Sequence, residues 1–253
     1  MKLHFISGLP RAGTTLLAAI LNQNPRFTAG ILSPSVPLIH ATQTIMHAPN
    51  EFAALFNEPR RERVLRSILE ALHEPNEVVF DNNRTWTGHL GLIRQIRPEA
   101  KVIVCVRPVE EVVNSLEMAV QRTGDAISIL NPIPGLTVYE RVQRWMSGEG
   151  VVGSALNNFK TGWFGPYRDM MLLFPYGTFV RKGAHQLRAL YINLEEPYFE
   201  HDLAAFEYNN EQFDKYHNVP GLHTVRGPLE PRPARTILPP DIVGRLKPLT
   251  FWN

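Results

Sequence analysis

The chain has 253 residues, 44% of them hydrophobic and 20% charged, with a formal net charge of +2. These are the proportions of an ordinary globular protein, long enough for one large α/β domain, and the charge is too small to argue for nucleic acid. No apolar run reaches bilayer length, and Gly8, Pro10 and Arg11 break the apolar start after Lys2, so a cytoplasmic chain without a membrane span is expected. Arg greatly outnumbers Lys, which suits oxyanion recognition but equally fits a codon bias. The single cysteine, Cys105, lies inside VIVCV; it excludes an internal disulfide and a Cys-based zinc cluster and reads as a buried thiol.

The opening LHFIS is a buried strand ended by Gly8 and Pro10. From Thr14 the spacing of Leu16, Leu17, Ile20 and Leu21 predicts a helix that stops before Pro25. A second helix is predicted over Pro59 to Glu74, with Arg60, Arg61, Arg63 and Arg66 on its solvated face. EVVFD reads as a strand, GHLGLIRQI as a helix and KVIVCV as a fully apolar strand. Val109, Val112, Val113, Leu116 and Val120 then mark another helix. VYERVQRWM and GVVGSALNNF read as helices, MMLLF as a strand and HQLRALYINL as a helix. After Pro197 the chain turns polar and irregular; GPLEPRPARTILPPD, with five prolines, is expected to be extended, and a last helix to begin near Asp241. This alternation predicts a single α/β domain over residues 1–253: a P-loop-like central parallel sheet flanked by helices on both faces, with an irregular Pro-rich C-terminal segment.

Residues Phe5 to Leu21 read FISGLPRAGTTLLAAIL, strand, glycine-bearing turn and helix. Gly8 and Gly13 have the separation of a nucleotide-hydrolysing phosphate loop and Thr15 supplies its hydroxyl, but Thr14 stands where that loop has lysine. The anion site itself depends on backbone N–H groups and the helix N-terminus, so it survives; the apparatus for a magnesium triphosphate does not. The nearby cation is Arg11.

GLPRAGTTLLAAIL resembles the 5′-phosphosulfate loop of the sulfotransferases, enzymes that take a sulfuryl group from 3′-phosphoadenosine-5′-phosphosulfate (PAPS) and release the bisphosphate PAP. The resemblance implies that Arg11, Ala12, Gly13, Thr14 and Thr15 bind the 5′-phosphosulfate. It also implies a 3′-phosphate site made by an Arg at a strand end and a Ser eight residues on. KVIVCVRPVEEVVNSLEMA supplies both as Arg107 and Ser115. That pair alone would read as an exposed Arg and a polar position on an amphipathic helix; together with the first loop, and in order, it favours the family. The tail GLHTVRGPLEPRPARTILPPD resembles that of bacterial and phage-type members, where a basic-Gly segment closes over the nucleotide; Arg226 and Gly227 are the matching pair, or else a plain turn.

Two departures stand out. Where related sequences carry Tyr-Glu-Asp-Leu, MMLLFPYGTF keeps only Tyr176; and AGILSPS, where members carry a catalytic Glu, has neither acid nor imidazole. A base must still take the acceptor's proton. Asp81, ending EVVFD, is the first choice, acting as base or orienting Arg84, while His40 and His89 are further candidates. Arg11, Asp81 and Arg84 are therefore the expected catalytic residues, and the chemistry needs no metal. A P-loop kinase using Asp81 to support magnesium, and a non-catalytic nucleotide-binding protein, stay open beside this reading. The acceptor is a small molecule, a carbohydrate or a peptide, expected in the loops Ser33 to Asn57 and Asp125 to Thr137, with Trp86, Trp145 and Trp163 as possible lining. Oligomeric state cannot be read from the sequence.

Overall fold

A run of five apolar residues makes a strand in the middle of a parallel sheet when both its faces are covered, and Val102–Val106 is buried at every position. A computed structural model, which describes residues 1–231 and 235–252, places it beside an equally buried first strand. The strands are β1 (Lys2–Gly8), β2 (Phe27–Ala29), β3 (Val78–Asn82), β4 (Val102–Val106) and β5 (Met171–Pro175). They form one parallel sheet in the order β2-β3-β1-β4-β5. Two short strands, β6 (Glu207–Tyr208) and β7 (Val225–Arg226), pair antiparallel outside it.

Ten helices flank the sheet among the described residues: α1 (Thr14–Leu21), α2 (Ser35–His47), α3 (Glu58–Ala71), α4 (Leu90–Ile96), α5 (Val109–Arg122), α6 (Val138–Met146), α7 (Gly153–Trp163), α8 (Tyr176–Leu194), α9 (Glu211–His217) and α10 (Pro240–Leu246). Connections from β1 run toward β2 and those from β3 and β4 run the other way, so right-handed crossovers put α1 on one face and α4 and α5 on the other. The chain order reverses direction between β1 and β4. Ligands of open α/β sheets bind in the crevice at the strand ends there.

The expected elements are present, and the short strands β2, β6 and β7 and the helices α2 and α9 are additions. Residues 35–47 were expected as loop and form α2 instead. Pro34 and Pro37 flank its first turn, where a helix needs no N–H donor, so prolines that suggest a loop are tolerated at this start. α9 is a seven-residue polar helix whose one buried residue is Asp214, and it carries no apolar stripe to read. α8 begins nine residues earlier than expected, at Tyr176, and is kinked at Lys182, which has non-helical dihedrals between Gly177 and Gly183. On α3 the arginines are partly matched within the helix, Arg61 to Glu58 and Arg66 to Glu62. Residues 232–234 of the expected extended segment lie outside the described residues; Arg235 to Ile237 run along α5, held through Asn114.

Cys105 is fully buried and burial pushes its thiol up, as expected for an inert position. His4 on β1 is a stronger case. Its Nδ1 accepts the Lys101 N–H at 3.1 Å, so the ring proton sits on Nε2, which is buried without a partner. Burial, with nearby Lys2, pushes its pKa down to about 4 from 6.5. The unfolded chain therefore binds the extra proton first as pH falls. Stability is full above about pH 6.5 and is lost toward pH 4, by about 3 kcal/mol for this one residue. Urea midpoints at pH 7 and pH 4.5 test this: the drop should be smaller in His4→Gln than in the parent chain.

Candidate functional site

The turn between β1 and α1 is built on two glycines with positive φ. A Cβ on Gly8 (φ 120°) would collide with the Cys105 carbonyl on the neighbouring strand, and Gly13 (φ 92°) caps α1 in the left-handed region. Leu17 is the first residue of α1 whose N–H reaches a turn carbonyl, that of Gly13. The N–H groups before it are those a helix start leaves for an anion. Ala12 does not share this role: its side chain is buried and its N–H bonds the Leu9 carbonyl at 3.3 Å.

Arg11, at the tip, is itself left-handed (φ 59°), a conformation costing a non-glycine residue roughly 1–2 kcal/mol. Its guanidinium turns inward. Nε donates to Ser115 Oγ on α5 at 3.3 Å and Nη1 to the Leu222 carbonyl at 2.7 Å. Burial, with Arg122 and Arg107 close by, lowers its pKa, and among the described residues it forms no ion pair.

Arg107 leaves the end of β4. Its Nε donates to half-exposed Glu111 at 2.9 Å and Nη1 to the Arg11 carbonyl at 3.4 Å. Its guanidinium lies 4.7 Å over the Tyr176 ring. That same ring packs on Gly13, where an added Cβ would stand 2.9 Å from it. The residue kept at the altered segment therefore touches both turns expected to bind anions.

These groups line a cavity of about 470 Å³ at the β1–β4 switch point, of the size that holds a nucleotide. Gly13, Thr14 and Thr15 line it, as do Arg84, Arg107 and Ser115. Ile31, Leu32, Ile129 and Leu130 give it an apolar wall, so the second expected acceptor loop contributes and the first does so only from just before Ser33. Arg84 makes no ion pair or hydrogen bond among the described residues. Surrounding protein lowers its pKa although its surface is open, as for a side chain that meets water only through a cavity.

Asp81 is misread by the sequence. It is completely buried, is not part of the lining, and spends its carboxyl group on Ser35 Oγ (2.8 Å), His73 Nε2 (2.8 Å) and Trp86 Nε1 (2.6 Å). It neither faces an acceptor nor orients Arg84. His40, on α2 and not in a loop, pairs with His89 through their Nε2 atoms at 2.8 Å, away from the lining residues. His89 Nδ1 donates to the Thr85 carbonyl, so His40 is the donor between the rings. Trp86 and Trp145 are core, and Trp163 packs on Phe159 and Phe251. Arg226 reaches the cavity margin, exposed and paired with Glu207 at 2.9 Å; Gly227 is not in the lining and its N–H bonds the Phe206 carbonyl.

A family model described as the sulfotransferase family matches residues 4–200, most of the chain. The chain belongs to the sulfotransferase family. Comparison with curated proteins gives no match. Solved structures of similar fold include the sulfotransferase domain from the curacin biosynthetic pathway, at 15% identity and TM-score 0.49 over 78% of this chain and 75% of that one. Sulfotransferase from Alicyclobacillus acidocaldarius matches at 15% identity and TM-score 0.49, over 80% of this chain and 84% of that one. Mouse sulfotransferase SULT7A1, solved with PAP, matches at 12% identity and TM-score 0.48, over 79% and 60%. Among the described residues no helix of this sulfotransferase is long and apolar enough to cross a membrane.

The wall that sequence reasoning missed comes from α9 and the turn after it. His217 and His223 line the cavity, and His223 is held by buried Asp214. Only GLHTVRG hinted at it, and there the Arg-Gly pair drew the reading.

Proposed function

We propose that this sulfotransferase uses PAPS as donor and moves its sulfuryl group to a hydroxyl (or amine) of an acceptor that is a small molecule, a carbohydrate or a peptide. The observation that carries this reading is that Arg11 and the Arg107–Ser115 pair meet in one cavity, about a single ring, Tyr176. A bisphosphate nucleotide needs two such anion sites and a nucleoside triphosphate needs one. Arg11 and the N–H groups at the start of α1 are placed to bind the 5′-phosphosulfate and to offset charge growing on the leaving phosphate oxygen. Arg107 offers a two-pronged donor to the 3′-phosphate, with Ser115 beside it. Arg84, which lines the same cavity and has no ion pair among the described residues, would steady the transferring group. The kinase reading loses support: Thr14 replaces the lysine, and the carboxyl of Asp81 is already engaged by three donors.

Calorimetry without magnesium, using PAP, 5′-AMP and Mg-ATP in parallel, tests the donor. PAP should bind at least about tenfold more tightly than 5′-AMP, one extra charge-assisted contact being worth roughly 1.5–3 kcal/mol. A preference for Mg-ATP would overturn the reading and restore the kinase.

A further inference from the structure

Sulfuryl transfer to a neutral hydroxyl needs a group to take its proton, and Asp81, His40 and His89 are all outside the cavity. The structure assigns this role to His223: its Nε2 is the general base, aimed and fixed by Asp214, an inference that rests on the donor reading above.

Four observations carry it. Asp214 Oδ1 lies 2.7 Å from His223 Nδ1 and also accepts the His223 backbone N–H at 3.0 Å, so both ends of the residue are tied to one carboxyl group. That carboxyl group is buried, at 4% exposure, and among the described residues its only hydrogen bonds are to the ring and the backbone N–H of His223. A ring that donates from Nδ1 keeps its lone pair on Nε2. Nε2 has no hydrogen-bond partner among the described residues, and His223 lines the cavity. Finally, the preceding residue, Leu222, gives its carbonyl to Arg11 at 2.7 Å, which sets His223 next to the cation that would hold the donor.

His217, its ring 6.2 Å away, is the alternative base, but it has no carboxyl partner among the described residues. Burial, then His223 and Arg84, lower its pKa. The groups around His223 are thus Asp214, His217 and Phe213, all on α9, with Arg84 beyond on the side of His217. In the step, the acceptor oxygen forms its bond to sulfur as the bond from sulfur to the phosphate oxygen breaks. The phosphate oxygen keeps that electron pair, His223 Nε2 takes the hydroxyl proton, and the imidazolium faces Asp214 until water removes the proton.

The first readout needs no acceptor. Spectra of 15N-histidine-labelled full-length protein, with and without PAP, should show His223 as the neutral Nδ1–H form. Asp214→Ala should shift the proton toward Nε2, because the acceptor that holds it on Nδ1 is gone. An Nε2-protonated neutral ring in the parent protein overturns the assignment whatever the donor. The second readout is PAP release from PAPS with 2-naphthol, with 4-nitrophenol, which is largely ionised in mildly alkaline buffer, and with water alone. His223→Gln should slow transfer to 2-naphthol by about a hundredfold, and by at least about tenfold more than transfer to 4-nitrophenol. If neither phenol is taken, the slow reaction with water should show the hundredfold loss. Equal losses with both phenols, or no loss in any arm, overturn the assignment. PAP affinity of the variant separates a lost base from a damaged donor site. Failure of the parent protein to bind PAP overturns the donor reading alone, since the tautomer is read independently.

Discussion

Replacing Arg107 by alanine is expected to weaken PAP about a hundredfold while leaving 5′-AMP near its parent affinity. The guanidinium is already aimed. Glu111 holds Nε, the Arg11 carbonyl accepts from Nη1, and the Tyr176 ring lies beneath it. A 3′-phosphate therefore meets a fork that loses little freedom on binding, and two charge-assisted bonds at roughly 1.5 kcal/mol each account for the factor. Glu111 is half-exposed, so the alanine variant leaves no buried charge behind. Arg107→Lys should recover only part of the loss, because an ammonium has the charge without the fork. The measurement is calorimetry of both nucleotides on parent and variants. Equal weakening of PAP and 5′-AMP would mean that Arg107 acts by bracing the Arg11 turn and does not read the 3′-phosphate.

The second large effect is on stability. Asp81→Ala should cost about 3–5 kcal/mol, a large share of the roughly 5–15 kcal/mol that holds a domain together. The substitution leaves Ser35 Oγ, His73 Nε2 and Trp86 Nε1 without their shared acceptor, in a region where Asp81 and Trp86 have no accessible surface. Asp81→Asn keeps an acceptor oxygen and should cost less. Urea denaturation of both variants, beside PAP binding, is the check. A stable Asp81→Asn variant that binds PAP but turns over no donor would return Asp81 to the chemistry.

Much of this architecture is legible in the residues themselves. LHFIS, EVVFD and KVIVCV are apolar because both faces of their strands are covered, and Gly8 and Gly13 are required by backbone positions that admit no side chain. The groups proposed to hold the donor follow, since Arg11, Arg107 and Ser115 sit at fixed offsets from those strands. The other walls are not legible, for physical reasons. α2 starts between two prolines and exposes Leu38 and Ile45 while burying Val36 and Ile39, so its apolar residues mark no single face. Asp214 is a buried acid in a polar helix, and nothing in EQFDKYH separates it from a solvated one. Asp81 misled in the opposite sense: an acid at a strand end suggests a site, whereas here its three donors make it a structural post.

Tyr176 works as a spacer. Its ring packs on Gly13 and its π-system carries Arg107, so a single aromatic ring lies against both turns proposed to bind the two anionic groups. A ring cannot stretch as a lysine can. With the two phosphates bound as proposed, nucleotides would be sorted by the span between their charged groups more than by how many charges they bear.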